Sequence, residues 1–209
     1  MKPTYDSTRA HNRRGTQGEI RRELAVALYK MLRTTHVRDI RIGNITSAVG
    51  VSQPNFYNHF KNIKEALVAS AEIGWSQYPT KARRIRPDSS FADAQRIVTP
   101  IIDFWIENGP SLAWSYHGDA LYEPALILLR QRATTRLISA ILDCIEATRT
   151  SGHTPSAVDW PLWSQHTLSR LDAFGLGYRL MRDYGNISRQ SIVDTAALMF
   201  LSDLGISPR

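Results

Sequence analysis

Within 51–60, VSQPNFYNHF, a dense set of hydrogen-bonding side chains stands together with no acid among them. Gln53, Asn55 and Asn58 carry amides, Tyr57 a phenol and His59 an imidazole. An amide donates and accepts at once, which matches the edge of adenine, and its neutrality does not repel phosphate. A phenol, an imidazole and the backbone N–H groups freed at a helix start by Ser52 and Pro54 can meet phosphate oxygens. The chemistry available here is recognition of a duplex groove.

Other constellations offer less. Ser111, His117 and Asp119 are close in sequence, but no Gly-x-Ser-x-Gly elbow and no strand to present one accompanies them. The histidines at 11, 36, 59, 117, 153 and 166 show no His-x-x-x-His spacing, and no Cys-x-x-Cys or Gly-rich phosphate loop occurs. We therefore expect no enzyme, no catalytic residue, no metal and no cofactor. The single cysteine, Cys144, lies in the apolar stretch AILDCIEA and reads as a small buried hydrophobe. One cysteine cannot form an internal disulfide, which fits a reducing cytoplasm. No apolar run approaches the ~20 residues that cross a bilayer, and the N-terminus lacks the apolar stretch of a secretory signal.

The elements that must position the amides are helical. Ile20, Leu24, Leu28, Met31 and Leu32 recur at helical spacing through 16–34, with Thr16 and Glu19 forming a capping box. A helix over 42–49 should end at Gly50, where a left-handed backbone costs little. Ser52 is a natural cap for the next, and Asn62 with Glu65 caps a further one that stops near Pro79. Helix, Gly-containing turn and short helix make the core of a helix-turn-helix. Ile45, Ala48, Val49, Val51, Phe56 and Phe60 are expected to face the first helix. At ~100° per residue, Phe56 and Phe60 lie within about 40° of each other, leaving Pro54, Asn55 and Asn58 on the far side.

The formal net charge of +7 is placed unevenly. Residues 1–64 hold twelve Lys and Arg against four Asp and Glu, a net of +8, while the rest holds fourteen against fifteen, a net of −1. A basic module joined to a neutral body is what a polyanion-binding protein with a second function looks like. The Pro-containing connector KARRIRPDSS separates the two. Beyond it helices are expected at about 90–108, 110–117, 123–150, 159–182 and 188–205, divided at Asn108-Gly109-Pro110, at 118–123, at 151–155 and at Tyr184-Gly185. The fold class is all-α with about nine helices: a basic arm over 1–15, a three-helix helix-turn-helix domain over 16–62 and a larger helical body over 63–209.

The segment ITSAVGVSQPNFYNHFKNIKEALVAS resembles the signature of the TetR family of bacterial transcriptional regulators. The resemblance rests on Ile45, Gly50-Val51-Ser52, Tyr57-Asn58-His59-Phe60 and Lys64-Glu65-Ala66-Leu67, and it covers roughly residues 17–70. The small residue usual after the isoleucine is Thr46 here, and the usual polar cap before the second helix is Arg41. The resemblance implies that Gln53, Pro54, Asn55 and Asn58 meet base edges. It places Tyr57, His59 and Lys64 on phosphate, with Ser52, Arg41 and Lys61 as further phosphate contacts and Arg13 and Arg14 as a basic arm. It implies a cytoplasmic homodimer on a palindromic double-stranded operator, released by a small-molecule effector.

For the larger body the resemblance implies a dimer interface and a ligand pocket. Phe104, Trp105, Trp114, Tyr116 and His117 stand where the family lines its pocket. The last two helices are apolar around much of their circumference, beyond what one monomer core should need. Leu168, Leu171, Gly175, Gly177, Ala196, Met199 and Phe200 are therefore assigned to dimerisation. The rival to sequence-specific regulation is a non-specific architectural DNA-binding protein, against which the large, neutral, aromatic-rich body argues.

Overall fold

The computed structural model describes residues 17–81, 86, 88–117, 124–149, 159–182 and 187–207. Arg13, Arg14, the Thr16 cap and Asp119 lie outside the described residues. Among the described residues every regular element is helical: α1 Gln17–Met31, α2 Ile42–Val49, α3 Gln53–Tyr57, α4 Ile63–Trp75, α5 Phe91–His117, α6 Pro124–Arg149, α7 Trp160–Arg182 and α8 Arg189–Asp203. A single 3-10 turn at Val37–Asp39 bridges α1 and α2, capped by the His36 imidazole accepting from the Arg38 amide at 3.2 Å.

The expected break at Asn108-Gly109-Pro110 does not occur. α5 runs through it, so eight α-helices stand among the described residues where about nine were expected. A proline inside a helix costs ~3 kcal/mol through its missing N–H and its clash with the preceding turn. Trp105 and Leu112 on either side of Pro110 are fully buried, and each such side chain returns about 1.5–3 kcal/mol. The Asn108 amide also turns inward and donates to the Phe104 carbonyl at 3.0 Å, so the expected breaker residue is hydrogen-bonded within the helix.

The chain gathers into two compact units, one of residues 1–76 with 110–127 and the other of 77–109 with 128–209. In the first, α1 packs on α4 and α2, and α2 on α3. Its core takes Ile20, Leu24 and Leu28 from α1, Leu32 just after it, Ile45 and Val49 from α2, Val51 from the turn, and Phe56, Phe60 and Ala66 beyond it. Ala48 was expected in this core and is exposed instead, because the eight residues of α2 bury one face through Ile45, Thr46 and Val49. Thr46 is accommodated there: its hydroxyl donates to the Ile42 and Gly43 carbonyls at 3.1 and 3.2 Å, leaving no polar atom stranded.

In the second unit α7 packs on α8, and Ile192, Val193, Ala196, Ala197, Phe200 and Leu201 bury against it and its surroundings. Charged pairs fasten the outside. Arg189 at the start of α8 grips Asp103 of α5 through two bonds of 2.6 and 2.7 Å, and Arg170 of α7 meets Asp203 of α8 at 2.8 Å.

Candidate DNA-binding surface

The turn before α3 is set by Gly50, the one residue between α2 and α3 with a left-handed backbone, φ 76°. Its amide and that of Val51 both return to the Thr46 carbonyl, at 2.9 and 3.0 Å, which closes α2 and reverses the chain. A Cβ at Gly50 would touch nothing, so the cost of one is purely conformational. Gly50→Ala is expected to lower stability by about 1–2 kcal/mol, read as a shifted urea midpoint with an unchanged slope.

α3 is only five residues long, too short to persist without help. Ser52 supplies one support, its hydroxyl oxygen accepting from the Asn55 amide at 3.4 Å, and Pro54 sits in the first turn where no N–H is missed. Phe56 supplies the other: it is fully buried, edge-to-face with Tyr57 and 5.4 Å from the Phe60 ring. With the phenyl rings inward, Gln53, Pro54, Tyr57 and Asn58 are exposed, and Asn55 is half-buried. The Asn58 amide lies 3.5 Å from the Asn55 side-chain oxygen, so these two form one patch. Gln53 leans the other way, over α2: a Cβ at Gly43 would come within 2.9 Å of its amide nitrogen. Of the four residues assigned to base edges, Asn55 and Asn58 adjoin one another, Pro54 is exposed, and Gln53 leans away over α2.

Of the residues assigned to phosphate, Arg41, Ser52, Tyr57, Lys61 and Lys64 are exposed. Ser52 uses its oxygen as the cap, which leaves its O–H to donate. Arg41 heads α2 without capping it; its guanidinium curls onto the Arg38 and Ile40 carbonyls at 2.7 and 3.0 Å. His59 differs. It is half-buried, its Nδ1 is enclosed, and burial together with the Arg21 guanidinium pushes its pKa below the ordinary histidine value. A histidine so held is neutral at pH 7 and contributes a dipole, not a charge.

The α3–α4 corner carries a fuller network. Asn62 accepts from the Glu65 amide at 3.0 Å, and Glu65 reaches back to the Lys61 amide at 2.8 Å. Arg21 of α1 bonds the His59 carbonyl and Glu65, and its guanidinium lies 4.2 Å from the centre of the Phe60 ring. Arg21 was not singled out from sequence. Nothing local in GEIRRELA sets Arg21 apart from Arg22, since charged residues ordinarily border the apolar stripe of a surface helix.

Of the residues assigned to an effector, Phe104 and Trp105 fall in the second unit and Trp114 and Tyr116 in the first, while the His117 side chain lies outside the described residues. Trp114 packs on the first unit's core and donates to the Ser111 carbonyl at 2.8 Å. Phe104 and Trp105 are buried with Tyr78 in consecutive edge-to-face contacts, with ring centres 4.8 and 5.2 Å apart. At the centre of this cluster is a residue that sequence reasoning passed over. Asp172 of α7 is buried, and one of its oxygens accepts from the Tyr78 hydroxyl at 2.6 Å and the Trp105 indole at 2.7 Å. Burial drives its pKa up to about 7, against the opposing pull of those two donors and of Arg130.

Of the residues assigned to dimerisation, Leu168, Leu171, Gly175, Ala196 and Phe200 are covered within the chain itself. Gly175 lies so close to Trp105 that a Cβ there would fall 2.7 Å from the Trp105 Cβ. The monomer's own core therefore takes up more of α7 and α8 than expected. Gly177 and Met199 keep partial exposure, and Leu162 and Leu198 stand out at 65% and 47% exposed. Among the described residues no group of histidine, cysteine or carboxylate side chains is arranged to hold a metal ion, and no helix is long and apolar enough to cross a membrane.

No protein-family model and no curated protein sequence matches the chain. Solved structures do. A TetR-family transcriptional regulator from Streptomyces coelicolor superposes with a TM-score of 0.71 at 19% identity, over 89% of this chain and 80% of that one. A TetR-family regulator from a Rhodococcus species gives 0.61 at 20% identity, over 90% and 99%. A transcriptional regulator from Saccharomonospora viridis, solved in complex with choline, gives 0.63 at 14% identity, over 88% and 96%. The chain has the fold of the TetR-family transcriptional regulators.

Proposed function

We propose that the chain is a TetR-family transcriptional regulator, a cytoplasmic repressor that binds a palindromic operator as a homodimer and leaves it when a small-molecule effector binds. The observation that carries this reading is the division of α3 and the residues after it: Phe56 and Phe60 are buried, while Gln53, Pro54, Tyr57 and Asn58 are exposed beside Lys61 and Lys64. The fold likeness and the basic excess of the first third support it. Gln53, Pro54, Asn55 and Asn58 read base edges; Arg41, Ser52, Tyr57, Lys61 and Lys64 hold phosphates, with Arg13 and Arg14 as an arm. His59 takes part as a neutral donor. Half-sites one turn of DNA apart, ~34–36 Å, suit a twofold pair of such helices. Among the described residues, Leu162, Leu198, Met199 and Gly177 are positions of α7 and α8 that keep exposure and offer surface to a second copy. An effector that favours the non-binding dimer by ~3 kcal/mol lowers operator affinity more than a hundredfold. The choline held by the Saccharomonospora viridis protein supports a small organic molecule in that role.

The test is selection of duplexes from a random pool, followed by titration of the selected and a scrambled duplex at matched salt. Specific binding should be tighter by ~10³-fold or more, and equal binding to both duplexes would make this an architectural protein instead. In the double variant Asn55→Ala/Asn58→Ala, each lost amide–base pair removes ~1–3 kcal/mol of discrimination, so the preference should shrink by about thirtyfold or more. Neither residue supports the core, so stability should move by less than about 0.5 kcal/mol per site.

A further inference from the structure

We infer that Arg21 of α1 is a positioning residue for DNA reading: its guanidinium clamps the corner between α3 and α4 and so sets the angle at which Asn58 and Lys61 are presented. This rests on the reading of α3 as the base-reading helix.

Three successive residues of that corner are held by one side chain or by its carboxylate partner. Arg21 Nη1 donates to the His59 carbonyl, one residue beyond Asn58. The guanidinium covers the Phe60 ring at 4.2 Å from its centre. Glu65 joins the set: its Oε1 lies 3.3 Å from the Arg21 guanidinium, and its Oε2 accepts from the Lys61 amide at 2.8 Å. The contacts reach across 38 and 44 residues of chain, so they fasten α1 to a corner that local sequence alone would leave to Phe60 and the Asn62 cap.

The chemistry requires arginine. A planar guanidinium can stack on an aromatic face while its edge donates to a carbonyl and a carboxylate together. A lysine ammonium carries the same charge on a point and cannot hold all three. The guanidinium is 41% exposed, but its ring, carbonyl and carboxylate partners engage it within the fold, so its role is to hold the corner. α3 has five residues and one buried anchor of its own, so its orientation depends on what holds its ends. Ser52 holds the first end and Arg21 the second.

The experiment compares wild type, Arg21→Met and Arg21→Lys in two assays. Methionine keeps an apolar stem over Phe60 and removes the fork. In the first assay each protein is titrated with a selected and a scrambled duplex over a range of salt. Arg21→Met should lose about tenfold or more of the discrimination ratio with an unchanged salt slope, and Arg21→Lys should recover only part of it. In the second, hydrogen exchange of residues 58–62 is followed without DNA, and Arg21→Met should exchange there about tenfold faster or more, with α1 and α2 unaltered. Wild-type discrimination in Arg21→Met, full recovery in Arg21→Lys, or unchanged exchange at 58–62 would each overturn the clamp. So would an equal loss on both duplexes with a shallower salt slope, which marks a phosphate contact. Should Arg21→Met lose its helical signal, Arg21→Lys carries the same comparison. Faster exchange in the variant of a wild type that prefers no duplex would sink the DNA reading and leave the clamp standing.

Discussion

Phe56→Ala should abolish DNA binding by dissolving the surface proposed to bind, although the ring itself is buried beneath that surface. Phe56 is fully buried in the first unit and packs on Phe60 and the edge of Tyr57. Truncating a core phenylalanine costs about 3–5 kcal/mol, against a total stability of ~5–15 kcal/mol for a domain. The loss falls on a helix of five residues whose only buried side chain is the one removed. In urea, the transition of the first unit should move to much lower concentration, and DNA binding should be lost at concentrations of urea that wild type tolerates. Tyr57→Ala is the matching comparison. Tyr57 is 57% exposed, so its removal should leave the transition within about 0.5 kcal/mol of wild type while weakening DNA binding. If Phe56→Ala kept the wild-type midpoint, α3 would be held by something other than its buried ring.

The second large effect belongs to Asp172, where stability should fall as pH rises from about 4 to neutrality. A carboxyl titrates near ~3.9 in the unfolded chain, and burial raises this one to about 7 when folded. Between those values the folded protein binds more protons than the unfolded one, so stability decreases with pH across that window and levels off above it. A difference of about three pKa units corresponds to ~4 kcal/mol at most. An asparagine side chain in its place would keep an acceptor for the Tyr78 hydroxyl and the Trp105 indole without ever ionising. Asp172→Asn should therefore flatten the profile, with a gain over wild type that grows from near zero at pH 4 to a few kcal/mol at pH 8. Denaturation midpoints for both proteins from pH 4 to 8 decide the matter. Parallel profiles would mean that the carboxylate is charged in the fold throughout.

The two residues differ in how far sequence could foresee them. Phe56 was legible because its cues are local: Phe60 four residues on, Gly50 and Ser52 before it, and polar side chains between. The Ser52 and Asn62 caps and the left-handed Gly50 are equally local, and the structure has all three. Asp172 was not legible. Its partners lie 94 and 67 residues away, and nothing in LDAFGLGYRL distinguishes a buried acid from a solvated one. Arg21 disappeared into a count of basic residues for the same reason. The continuity of α5 was misjudged because Asn-Gly-Pro is a strong local stop, and only burial on both sides of it outweighs that signal. α7 and α8 show the converse: their apolar excess was real, but a monomer core absorbed most of it.

Fixing a five-residue helix from beneath and at both ends has a further consequence. Apart from the Ser52 hydroxyl, which both caps the helix and faces outward, the groups that hold it, Phe56, Phe60 and the Arg21–Glu65 pair, are different from the exposed Gln53, Pro54 and Asn58. Gln53, Pro54 and Asn58 can change without touching a foundation. On the proposed reading, such a protein could be given a new address one letter at a time, with each intermediate expected to fold.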